Sequence, residues 1–161
     1  MKKALLLLVL LLVVIAPRAM AGAACYTPQE SEAEQGIRIH SELMVIGLNC
    51  MHMAKANGNN LYLEHQKFTN KHAKLFVTYE KIMMAFLQRN GNKNPEAAMH
   101  KMRTDFANNI STEAAKMRPD KFCRAYAPRI EQVTKMDEMT FRKWASMPYK
   151  DHPNTHPVCS K

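Results

Sequence analysis

The stretch LYLEHQKFTNKHAKLFVTYEKIMMAF, Leu61 to Phe86, decides the fold class. Leu61, His65, Phe68, His72, Leu75, Tyr79, Ile82 and Phe86 recur in unbroken alternating steps of four and three. Those steps keep a side chain on one face of an α-helix, whereas a half-buried strand repeats every second residue. The spacing predicts one helix from about Leu61 to Arg89, closed by Asn90-Gly91.

Working outward, Thr27 can cap a helix, Pro28 suits its first turn and Glu30 completes a capping box. That helix is expected to run from Pro28 to about residue 56 and to stop at Asn57-Gly58-Asn59-Asn60. Asn94-Pro95-Glu96 opens a third helix that reaches Met117 and falters at Asn108-Asn109. Arg118-Pro119-Asp120 punctuates the chain, and a fourth segment spans Lys121 to about Met147 with a break or kink near Pro128. Residues 147–161 carry three of the prolines and no periodicity, so they read as an irregular tail pinned by Cys159. No run alternates like a strand. The fold class is all-α: an up-down bundle of about four helices, stapled by disulfides, with an extended C-terminal tail.

The N-terminus places this domain outside the cytoplasm. Lys2 and Lys3 precede the apolar run Ala4 to Ala16, and Ala19-Met20-Ala21 fits the small-residue cleavage rule. The apolar run is too short to span a bilayer, which takes about 20 residues. Residues 1–21 are therefore read as a bacterial-type signal peptide, and residues 22–161 as a single helical domain, periplasmic or secreted. A rival reading makes Cys25, preceded by Gly-Ala-Ala, a lipidated residue. Four cysteines, Cys25, Cys50, Cys123 and Cys159, then suit two disulfides in an oxidising compartment. Pairing 25 with 159 and 50 with 123 is preferred, since the first two lie outside the helices and the second two within them.

Charge is unevenly distributed. Between Gly22 and Asn60, Glu30, Glu32, Glu34 and Glu42 outnumber Arg38 and Lys55, whereas from Leu61 onward 18 bases face 10 acids. The acids read as scattered over polar helix faces, and the basic excess as a solvated surface open to an acidic partner. Export and the lack of any reader motif argue against nucleic acid.

Two groups of residues invite a sharper chemistry. In LNCMHMAK, Leu48 to Lys55, a cysteine, two methionines and a histidine stand together, as in a soft-metal site. On a helix their side chains splay, so the reading is core packing plus a disulfide at Cys50. Methionine is frequent, 13 in all, and Met99, Met102, Phe106, Ile110, Ala114 and Met117 form a helical stripe. Phe122, Tyr126, Ile130, Val133, Met136 and Trp144 form another; both read as core. The second group is His65 and His72, core-facing and one heptad apart, about 10.5 Å along the axis. That separation bars them from one ion, so each needs help from His40, Met44, Glu42 or His100. They read first as neutral, hydrogen-bonded core imidazoles, next as a pH switch, and last as ligands of a transition metal or haem.

No nucleophile elbow, zincin, P-loop or dinucleotide motif occurs. Function is therefore expected to be binding, without enzymatic activity or a cofactor. The expected partner is a protein, a peptide or an anionic envelope component, and the chain is a monomer or weak homodimer that does not span the membrane. A metal- or haem-handling bundle and an acid-responsive chaperone are the alternatives.

Overall fold

The computed structural model describes residues 24–53, 60–150 and 152–160; the expected signal peptide and its expected cleavage site lie outside them. Thr27 accepts from the Glu30 N–H while the Glu30 carboxylate accepts from the Thr27 N–H, so the capping box forms as read. It starts α1 (Pro28–Asn49). Asn60 caps α2 (Leu61–Lys71), which continues after His72 as α3 (Ala73–Arg89). Asn94 caps α4 (Pro95–Lys116); α5 (Pro119–Val133) and the short α6 (Glu138–Ala145), capped by Asp137, complete the helices. Among the described residues the chain is all helical, with six helices and no strand.

The arrangement differs from four helices running up and down. In such a bundle each helix buries one stripe, but α1 is buried on every side from Glu32 to Ile39. It packs against each of the other five helices, so it is the axis of the fold and they form its jacket. Gly47 permits one close approach: a Cβ there would lie 3.3 Å from the Tyr62 Cα at the α1–α2 crossing.

Three boundaries depart from the sequence reading. α1 ends at Asn49, short of the expected residue 56, and the expected stop at 57–59 lies outside the described residues. The reason is packing: Gly47 is its last buried residue, and a helix without a buried face gains little from continuing. The seam helix bends at His72 (φ −108°, ψ 17°), whose N–H is shared between the Phe68 and Asn70 carbonyls. There Lys71 Nζ donates to the Met136 carbonyl at 2.7 Å, tying the bend to the turn between α5 and α6. The fourth segment is two helices, yet it runs unbroken through Pro128, as α4 does through Asn108-Asn109.

The apolar seam itself is as read. Leu61, His65, Phe68, His72, Leu75, Tyr79 and Phe86 are all buried. Phe68, Phe76 and Phe141 meet edge to face at its centre, with centroids 5.2–5.7 Å apart. Both disulfides form in the preferred pairing, Cys25–Cys159 and Cys50–Cys123, closing separations of 134 and 73 residues. Loops of that size correspond to roughly 4–5 kcal/mol each on the chain-entropy argument. With its sulfur in a bridge, Cys25 is not free to carry an acyl chain.

Candidate functional site

The polar interior begins on α1. Glu30, Glu32, Glu34 and Glu42, read as solvated acids, are all buried. A buried carboxylate is costly unless paired and hydrogen-bonded, and three of the four meet that condition fully. Glu30 accepts from Arg89 at 2.8 Å. Burial raises its pKa, but the Thr27 N–H, Arg89 and the Thr27 hydroxyl outweigh that and hold it below the usual carboxylate range. Glu32 accepts from the Tyr79 hydroxyl at 2.8 Å, Arg142 Nε at 2.8 Å and the Ser146 hydroxyl at 3.2 Å. Glu34 accepts from the Tyr26 hydroxyl at 2.5 Å, Arg38 at 3.1 Å, the Thr155 N–H at 2.9 Å and the Thr155 hydroxyl. Arg89 and Arg142 come from sequence-distant helices, whereas Arg38 lies four residues along α1 itself. The charge asymmetry along the chain is thus in part pairing of α1's acids with Arg89, Arg142 and Arg129.

The same face of α1 holds the tail. Gln35 donates to the His152 carbonyl at 2.9 Å, and Arg38 to that of Pro153 at 2.9 Å. Tyr26 forms a short parallel bridge with Val158, its N–H donating to Pro157 and its carbonyl accepting from Cys159. The tail is therefore pinned by buried polar groups of α1 as well as by Cys159.

Glu42 is the exception. Its carboxylate faces His152 Nδ1 at 3.5 Å and Arg129 Nη1 at 3.6 Å, and accepts no hydrogen bond among the described residues. Burial, opposed by His152, Arg129 and Arg38, pushes its pKa above the usual range. It lines a cleft between α1, α5, α6 and the tail.

The structure separates the histidines picked out from the sequence. His65 meets His40 of α1, with ring centroids 5.2 Å apart, and Thr69 Oγ1 lies 3.1 Å from His40 Nε2 and 3.4 Å from His65 Nε2. His72 instead stacks near Phe141 at 5.9 Å and lies 5.0 Å from Phe68. Burial lowers the pKa of all three, that of His40 to about 3 with His65 and Arg103 adding to the effect. The expected hydrogen-bonding is incomplete: His65 Nδ1 and His72 Nε2 are buried without partners among the described residues. Met44 and His100 line a different cleft with the outer edge of His40 and Arg103. Among the described residues no three His, Cys, Asp or Glu side chains converge as a metal ion requires.

LNCMHMAK resolves otherwise than expected. Cys50 is buried and bridged, but Met51 and Met53 are 48% and 42% exposed and His52 is exposed too, because α1 has already ended. They are therefore not core. The α4 stripe holds at Met99, Phe106 and Ile110 and fails at Met117, which is exposed; Phe122, Ile130 and Val133 hold in α5.

Burial of the acids leaves the exterior basic. Among the described residues fifteen Lys and Arg side chains are exposed against six Asp and Glu. Lys67, Lys71, Lys74 and Lys81 lie on one flank of α2 and α3, with Thr78 completing the four-and-three spacing. No helix among the described residues is long and apolar enough to cross a membrane. Comparison with family models, curated proteins and solved structures found no match to this chain.

Proposed function

We propose that the protein is an exported helical module that binds an anionic envelope component through its basic exterior. The observation that carries this is the sorting of charge: four acids are drawn into α1's interior, while fifteen described bases, Arg89 and Arg142 that pair with two of those acids among them, are exposed against six acids. The stripe Lys67, Lys71, Lys74 and Lys81 presents that charge as a line along the helical jacket. Each lysine near an anionic lipid surface contributes about 1 kcal/mol, and salt weakens the effect.

Co-sedimentation with phosphatidylglycerol vesicles and with phosphatidylcholine vesicles tests this. Binding is expected only to the former, weakening as salt rises. Replacing Lys67, Lys74 and Lys81 by Gln is expected to reduce it roughly 100-fold, at about 1 kcal/mol each. Equal binding to both vesicles, binding to neither, or indifference to the triple substitution overturns the reading.

A second reading, an acid-responsive chaperone, is favoured by His40, His65 and His72 flanking the Phe68–Phe76–Phe141 cluster. Protonating them opposes burial and would expose that aromatic surface. An apolar dye is expected to bind near about pH 5 and not near pH 7.5, the range in which histidine charges. Dye binding that is the same at both values removes this reading.

A further inference from the structure

We infer that the cleft between α1, α5, α6 and the tail is a binding site for a free α-amino acid with an aliphatic side chain. Its ammonium would lie on Glu42 and its carboxylate on Arg129. The inference is independent of the basic exterior.

The cleft has a volume of about 160 Å³. One ordered water needs roughly 10–15 Å³ on this scale, so the space holds a small molecule. Clefts for drug-sized ligands run to about 300–1,000 Å³, so the ligand is small. Glu42 and Arg129 stand 3.6 Å apart with no hydrogen bond between them, unlike the saturated pairs of Glu30, Glu32 and Glu34. A loose ion pair at the wall of a cavity is matched by a zwitterion. Inserting an ammonium beside Glu42 and a carboxylate beside Arg129 gives each charge hydrogen bonds without changing the net charge.

A plain cation fits less well. It would face the Arg129 guanidinium on α5 and Arg38 on α1, both of which line the cleft. Arg38 is already neutralised by Glu34, yet its Nε is buried without a partner among the described residues, leaving one donor there. A plain anion would face Glu42. Besides Gln35, Gln132 and His152, the remaining lining is apolar: Ile39, Leu43 and Ile46 on α1 with Trp144 and Tyr149, a surface for an aliphatic side chain. Tyr149 is set by its hydroxyl bond to the Trp144 carbonyl at 3.0 Å, and the two rings meet edge to face 6.4 Å apart.

The test is a thermal-shift screen of the oxidised, exported protein against the standard amino acids, followed by calorimetry on the aliphatic members. L-leucine is compared with isopentylamine and 4-methylpentanoate, which lack its carboxylate and its ammonium. Leucine or another aliphatic amino acid is expected to bind, and each truncated analogue at least tenfold more weakly. Glu42→Gln and Arg129→Gln are each expected to weaken binding at least tenfold. Glu42→Gln is expected to leave the ligand-free melting temperature unchanged or higher, which separates lost binding from lost folding. The inference is overturned if no amino acid stabilises the protein, if the amine or acid alone binds as well as leucine, or if Glu42→Gln binds normally.

Discussion

The hydroxyl of Tyr79 donates to the Glu32 carboxylate at 2.8 Å, joining α3 to the central helix through a bond closed to solvent at both ends. Burial and the neighbouring carboxylate push the Tyr79 pKa far up, so the phenol stays protonated and remains the donor. The ring can reach Glu32 because it crosses α1 at Gly36, where a Cβ would fall 2.3 Å from the Tyr79 Cε2.

Gly36→Ala is therefore expected to destabilise the protein by about 1–3 kcal/mol, the range for overpacking a core. The ring is pinned by its hydroxyl and cannot easily retreat. In a Tyr79→Leu background the same substitution is expected to cost far less, since the clashing atoms are gone. Urea unfolding of the four proteins reads this coupling directly; additive costs would mean that Tyr79 is not what Gly36 accommodates.

Stability is expected to fall on mild acidification. His40, His65 and His72 have pKa values lowered by burial, so the unfolded chain binds protons that the folded chain does not. Their contribution is complete above the unfolded histidine pKa and is lost as pH drops below it. For His40, held at about 3, the loss amounts to about 2 kcal/mol by pH 5. His65 and Arg103 face His40; Lys71, Asp137, Glu138 and the Met136 backbone surround His72. Glu42 works in the opposite direction, because its raised pKa favours the folded state at low pH, but it acts nearer the carboxylate range. Unfolding free energies of the wild type and of His40→Leu between pH 7.5 and 5 check the sign: the variant is expected to show the flatter profile.

The two disulfides are expected to respond differently to reductant. Cys50 and Cys123 are fully buried, whereas Cys159 is exposed and Cys25 partly so. Thiol attack needs access, so Cys25–Cys159 should open in the native protein while Cys50–Cys123 waits for unfolding. Opening the first bridge should loosen the chain only beyond Thr155, because Gln35, Arg38 and Glu34 still hold His152, Pro153 and Thr155. Alkylation and mass spectrometry along a dithiothreitol series give the order; simultaneous loss of both bridges would contradict it.

Much of the fold could be read along the chain. The seam from Leu61 to Phe86, the capping box at Thr27 and the Asn60 and Asn94 starts are local signals, in which periodicity or a side chain acts on residues three or four away. The disulfide pairing came out as preferred, although Cys50 lies one residue past the end of α1 and not within it. His65 and His72 were correctly placed in the core, but their neighbours were not legible: that His65 meets His40 while His72 meets Phe141 depends on how α2 and α6 dock.

What the sequence determined by itself was the helical class, because amphipathic spacing is a property of consecutive residues. Tertiary structure alone decided the role of α1. Its glutamates look solvated in any single-helix reading, and become interior only when Arg89, Arg142, Tyr79 and Thr155 arrive from far along the chain, with Tyr26 from just before the helix, to satisfy them. It also decided the cleft at Glu42, since a carboxylate's environment is set by the groups that surround it in space, and here those groups lie 87 and 110 residues away at Arg129 and His152.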